Sequence, residues 1–177
     1  MRNLIFFIIC TGFFCAFNQS ITAQEEPAAN KVFYAEFGGG GMIMSMNFDQ
    51  RFIPNSKLGF GYRIGVGFGI GTSYVENDEY LRTFYSVPVG LNYVFGKPNS
   101  ASSFEIGGGI TYLTRERSID FLGLYEEKYS HFIGFVNFMY RRVPVKGGFS
   151  FRIGLSPLIN ATYDLVPMGA VGFGYAF

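Results

Sequence analysis

LGFGYRIGVGFGIG, residues 58–71, alternates large apolar side chains with almost nothing. Leu58, Phe60, Tyr62, Ile64, Val66, Phe68 and Ile70 hold the even positions. Gly59, Gly61, Gly65, Gly67, Gly69 and Gly71 hold the odd ones, with Arg63 the exception. Successive strand side chains point to opposite faces, so one face is an aliphatic and aromatic wall and the other is nearly bare backbone. A soluble sheet turns its large face to a core and its polar face to water. Glycine at every second position weakens a strand and gives a water-facing surface nothing in return. The pattern fits a strand whose apolar face meets lipid and whose glycine face looks into a narrow barrel filled by its neighbours' side chains.

Composition agrees. The 177 residues include 22 Phe, 12 Tyr, 24 Gly and no Trp, and only 15% are charged. A lipid-facing barrel with aromatic girdles has this mixture. Arg2 precedes a 14-residue apolar run, 4–17, and Ala23 before Gln24 offers a cleavage point, so residues 1–23 are expected to be a secretory signal peptide. The run is shorter than the ~20 residues of a spanning helix. Bulky Ile9 and Phe14 precede Cys10 and Cys15, which excludes a lipoprotein signal, and both cysteines leave with the segment. The mature chain then has no thiol chemistry or disulfide, and 13 basic residues balance 13 acidic ones. No basic stripe points to nucleic acid.

Residues 24–30 read as a short polar leader, and 31–177 as the barrel domain. Period-2 segments are expected at 31–37, 42–51, 58–71, 81–95, 104–114, 129–142, 149–159 and 169–177. The outward side chains include Met42, Met44, Met46 and Phe48 in the second segment. Apolar parity switches between Phe37 and Met42, which predicts a tight hairpin at 38–41, with a bulge in one long strand as the alternative. Pro88, inside the fourth segment, predicts a local bulge. Eight strands make an even, closable number, giving an all-β, antiparallel, up-and-down transmembrane barrel with both termini periplasmic.

The inward parity places seven charges in the lumen: Glu36, Asp49, Arg63, Arg82, Glu105, Arg115 and Arg152. Eight strands leave an interior just wide enough for side chains, so paired charges that fill the lumen are expected rather than a pore lining. The acidic residues Glu76, Asp78 and Glu79 lack calcium-loop spacing. No metal or cofactor is expected.

The ending VGFGYAF, with Phe173, Tyr175 and Phe177 at alternate positions, resembles the signal read by the barrel-assembly machinery. With the strand pattern of 31–177, it makes the chain similar to small Gram-negative outer-membrane β-barrels of the OmpX or OmpA-transmembrane-domain type. That resemblance implies an outer-membrane monomer. Its partners would be outer-membrane lipids, lipopolysaccharide and the assembly machinery, and its role structural or surface-interaction. Lipid-A-modifying enzymes and small passive channels are the alternatives. By resemblance to the enzymes, His131 would be a general base, with Ser130 as nucleophile and Glu126 or Glu127 as orienter. Neighbours on a strand face opposite ways, so Ser130 and His131 are not expected to meet, and an interfacial, non-catalytic histidine is the preferred reading.

Overall fold

The computed structural model describes residues 28–75, 78–114, 119–120, 131–159 and 165–177. The expected signal segment and most of the leader lie outside them. The wall is built from β1 (Lys31–Gly38), β2 (Met44–Arg51), β3 (Gly59–Val75), β4 (Asp78–Gly96), β5 (Ser102–Leu113), β7 (Phe132–Arg142), β8 (Gly148–Leu155) and β11 (Gly169–Ala176). Three two-residue pieces lie between them: β6 (Ile119–Asp120), β9 (Leu158–Ile159) and β10 (Leu165–Val166).

Each wall strand pairs antiparallel with its neighbour in sequence. β1 pairs with β11 from Val32↔Ala176 to Gly38↔Ala170, so the sheet closes into an eight-stranded barrel. Closure pairs the outermost strands and leaves no open edge in the wall. The strand that announced the fold runs between β2 and β4, with Ile64 opposite Phe48 and Val89. Its glycine face is closely covered. A Cβ at Gly65 would run into the Asn47 side chain and lie 2.8 Å from the Met46 carbonyl oxygen, and one at Gly69 would enter the Phe84 ring. The bare positions are therefore occupied by neighbouring strands' side chains.

Three expectations need correction. Pro88 makes no bulge: the β3–β4 register passes from Ile64↔Val89 to Gly67↔Ser86 without a shift, and the β4–β5 ladder is unbroken at Pro88↔Thr111. The missing N–H interrupts the ladder on one side only. β3 and β4 also run farther than expected, to Val75 and from Asp78, and β6 pairs with Thr72 and Ser73 of the extension. Finally, Met42 does not face outward; it is wholly buried.

Met42 is buried because the β1–β2 connection folds back into the lumen. Gly39–Gly41 form one 3-10 turn, all three buried, flanked by positive φ at Gly38 and Met42. Gly38 and Gly39 accept these angles readily; Met42 at φ 75 is strained and is held by its complete burial. Thr111 Oγ1 donates to the Gly40 carbonyl at 2.6 Å, and Ser86 Oγ donates to that of Gly41 at 2.9 Å. A Cβ on Gly40 would lie 2.8 Å from the Phe135 ring. Met42 packs with Phe84, Leu113, Ile133, Phe135 and Leu158 into an apolar plug. The connection is a hairpin, as expected at 38–41, but one that stoppers the barrel.

Candidate functional site: a charged lumen closed at both ends

Polarity is inverted relative to a soluble protein. Large apolar side chains point outward and are exposed, among them Phe60, Ile64, Leu91, Ile110, Phe138 and Ile153. The buried residues include four arginines and three carboxylates, none more than 4% exposed. These seven form one alternating chain: Arg51, Asp49, Arg141, Glu105, Arg152, Glu36, Arg63.

Arg51 Nη2 donates to Asp49 Oδ1 at 2.6 Å. Arg141 Nη2 reaches the same oxygen at 3.3 Å, and its Nη1 donates to Glu105 Oε2 at 2.7 Å. Glu105 Oε1 accepts from Arg152 Nη2 at 3.0 Å, and Arg152 Nε lies 3.2 Å from Glu36 Oε2. Glu36 Oε1 accepts from Arg63 Nη2 at 2.6 Å. Neutral groups fill in. Asn92 Nδ2 donates to Asp49 Oδ2 at 2.6 Å, and the Tyr34 hydroxyl accepts from Arg152 Nη1 at 2.7 Å. Burying a charge is tolerable only when it is paired and hydrogen-bonded, and each carboxylate here touches two guanidiniums.

Both ends of the chain are arginine, leaving one positive charge in excess. Arg63 Nε and Nη1 have no hydrogen-bond partner. Its guanidinium carbon lies 5.2 Å from the Phe135 ring centre and 5.9 Å from that of Tyr34, so aromatic faces flank the guanidinium where it lacks hydrogen bonds. Phe135 thus touches both the charged chain and the plug.

The end of the barrel where β1 begins and β11 ends is closed differently. Lys57, in the β2–β3 turn, is folded inward, where its ammonium donates to the Ser100 carbonyl and lies 3.5 Å from that of Val143. Burial, with Arg141 adding to it, lowers the Lys57 pKa from its ordinary value. Ala29 N donates to the Val145 carbonyl at 2.8 Å, and Ala29 packs with Val32, Tyr34, Val143 and Ala176. One lysine and one backbone segment tie three turns across the mouth.

The structure brings together five of the charges assigned to the lumen from sequence: Glu36, Asp49, Arg63, Glu105 and Arg152. Arg82 is a correction. It has the inward parity of β4 but is exposed, because its register partner Gly71 sits beyond the stretch of β3 that pairs with β2. Arg115 lies outside the described residues. Arg51 and Arg141 are network members absent from that set, although Arg51 shares the odd parity of Asp49 in β2 and Arg141 that of the buried Asn137 in β7.

His131, immediately before β7, is exposed. Its ring is stacked at 5.9 Å and 30° on Tyr112, and its Nδ1 is 3.1 Å from the Leu113 carbonyl oxygen. Ser130, Glu126 and Glu127 lie outside the described residues. Phe173, Tyr175 and Phe177 are exposed at the outward-facing positions of the closing strand. Around the same end, outward aromatics pair strand to strand, including Phe60 with Tyr93 at 4.8 Å and Phe104 with Tyr140 at 5.7 Å.

No protein-family model matches the sequence, and neither does any curated protein. Among solved structures, the chain is similar to the Yersinia pestis outer membrane protein Ail, a structure determined in a phospholipid bilayer nanodisc. The identity is 14%, the TM-score 0.52, and the match covers 84% of this chain and 99% of Ail. At that identity the likeness speaks for the fold: this chain is a closed eight-stranded antiparallel β-barrel of the architecture seen in Ail.

Proposed function

We propose that the protein is an outer-membrane β-barrel with a structural or surface-interaction role and no catalytic activity. Residues 1–23 would serve as a cleaved signal, and both termini and the short turns would face the periplasm. The observation that carries this reading is the inverted polarity: seven charges sealed inside and a continuous apolar surface outside. In water such a surface would drive aggregation; in hydrocarbon it is the required exterior. Ail, of the same fold, is an outer membrane protein.

A non-conducting, non-catalytic role is supported by the lumen. The apolar plug and the Lys57 strap close its ends, and the paired charges fill its middle. The His131 ring is engaged by Tyr112 and a backbone carbonyl. Outer-membrane lipids and lipopolysaccharide would surround a monomer delivered by the assembly machinery, with Phe173, Tyr175 and Phe177 as its signal.

Reconstitution tests this. The mature chain should enter lipid vesicles, migrate differently on gels before and after boiling, and show no steady conductance in planar bilayers. A soluble, heat-insensitive chain would refute the membrane reading. A stable ion-conducting state would refute the closed lumen.

A further inference from the structure

A small cavity lies beside the charged chain, lined by Tyr34, Arg141, Ser150 and Arg152, with Val32 and Val143 next to them. None of these six is more than 5% exposed. Ser150 and Arg152, two apart in β8, share its inward face, and Val32 and Tyr34 share that of β1. Gly172 of β11 also lines the cavity. A Cβ there would lie 3.0 Å from Arg152 Cγ and 3.2 Å from Tyr34 Cδ2, so a side chain would crowd the space.

Size limits the occupant. The space open to the centre of a water molecule is about 10 Å³. A buried water needs ~10–15 Å³ by that measure, and two to four polar partners. One water fits, and nothing larger does.

The lining has hydrogen bonds left to make. Arg152 directs one N–H to Glu105 Oε1 at 3.0 Å and one to the Tyr34 hydroxyl at 2.7 Å, and a guanidinium has further N–H groups to place. Its Nε, 3.2 Å from Glu36 Oε2, makes no hydrogen bond among the described residues. The Tyr34 hydroxyl accepts from Arg152, and its own proton goes to no described acceptor. The buried Ser150 hydroxyl bonds to no described residue. Buried polar groups are satisfied by protein or by ordered water. Water can accept from the N–H and O–H donors and donate to the serine oxygen at once.

We infer that this cavity is a binding site for one ordered water molecule, hydrogen-bonded to Ser150 and to the remaining donors of Arg152 and Tyr34. β11 lies between β8 and β1, so the water bridges the two neighbours of the strand that closes the barrel. It is a fixed part of the lumen, held only when that seam is sealed.

The test is X-ray footprinting of the mature chain folded in detergent, where radiolysis of water makes hydroxyl radicals that oxidise the nearest side chains. Mass spectrometry reads the oxygen added to Tyr34, with Phe135 as the internal control. Both rings are 2% exposed, but Phe135 packs in the apolar plug. Tyr34 should be oxidised several-fold more than Phe135. On rapid transfer into heavy-oxygen water, Phe52 in the exposed β2–β3 turn should incorporate the new isotope at once, while Tyr34 keeps incorporating the old one. Ser150→Val puts methyl groups where the hydroxyl was; it should remain heat-modifiable and bring Tyr34 down to the level of Phe135. If that variant fails to fold, the wild-type isotope series decides.

Tyr34 oxidised no more than Phe135 in wild type would overturn the inference, because the cavity is then dry. Immediate heavy oxygen at Tyr34 would overturn it too, since solvent would be passing freely instead of being bound. So would undiminished Tyr34 oxidation in a folded Ser150→Val barrel. Conductance reports an open lumen separately.

Discussion

Glu105→Gln should be among the most damaging isosteric changes available to this barrel. The carboxylate is 2% exposed and lies between Arg141 Nη1 at 2.7 Å and Arg152 Nη2 at 3.0 Å. An opposite-charge pair ~4 Å apart at an effective dielectric of ~20 attracts by ~4 kcal/mol, so the two pairs amount to ~8 kcal/mol gross. Relief of the carboxylate's desolvation returns several kcal/mol, and the amide oxygen still accepts one hydrogen bond. The net loss is then about 3–5 kcal/mol, the range for breaking a buried pair from one side.

The network's composition sharpens this expectation. Removing Glu105 leaves four guanidiniums against two carboxylates, whereas Arg51→Gln at the end of the chain leaves three against three. Arg51→Gln should therefore cost less, about 1–3 kcal/mol, mostly for the lost hydrogen bonds to Asp49, which keeps Arg141, and to the Asn92 side-chain oxygen. Urea titration of the detergent-folded barrel, with the folded fraction read from gel mobility of unboiled samples, gives both values. A Glu105→Gln barrel within ~1 kcal/mol of wild type, or an end substitution costing as much as the central one, would refute the alternating chain as a source of stability.

Three further outcomes are expected. Ile64→Arg, at mid-wall and 47% exposed, should cost roughly 2–4 kcal/mol in bilayers, while Phe52→Arg at the turn should cost little; equal tolerance would remove the lipid assignment. Gly65→Val should destabilise by ~1–3 kcal/mol or prevent folding, because the new side chain enters Asn47; a fully stable variant in the same urea titration would show that the glycine face is not packed. His131→Ala should leave a heat-modifiable barrel and an unchanged lipid A mass spectrum in cells that express it; a lost acylation difference would make the protein an enzyme.

Much of the wall was legible from sequence because period-2 alternation reports which face a side chain takes. The 58–71 stretch named the fold through its empty face alone, since only a crowded interior makes six glycines useful. Alternation is silent about height along the barrel, and there the reading of Arg82 failed: the parity was right, but the residue sits above the closed wall. The same blindness hid the lengths of β3 and β4. Met42 failed for another reason. It continues the parity of Met44 and Met46, and only the three-dimensional return of Gly39–Gly41 into the lumen reverses its direction. Arg51 was legible in principle, two residues from Asp49 on the same face, but partner choice across strands 27 to 118 residues apart is not carried by local spacing.

The alternating chain has a consequence for how the barrel is made. Its members come from β1, β2, β3, β5, β7 and β8, with Asn92 of β4 hooked onto Asp49; Arg51 and Asp49 meet within β2 and Glu105 meets Arg141 across β5 and β7, but the complete set of contacts needs the closed barrel. Glu36 needs Arg152 from the far side of the seam, and Glu105 needs arginines from two strands beyond it. An intermediate lacking the β1–β11 seam would keep several ions hydrated and its interior wet. Drying of the lumen and sealing of the seam must therefore coincide, which makes the final zip of the cylinder an all-or-none event instead of a strand-by-strand accretion.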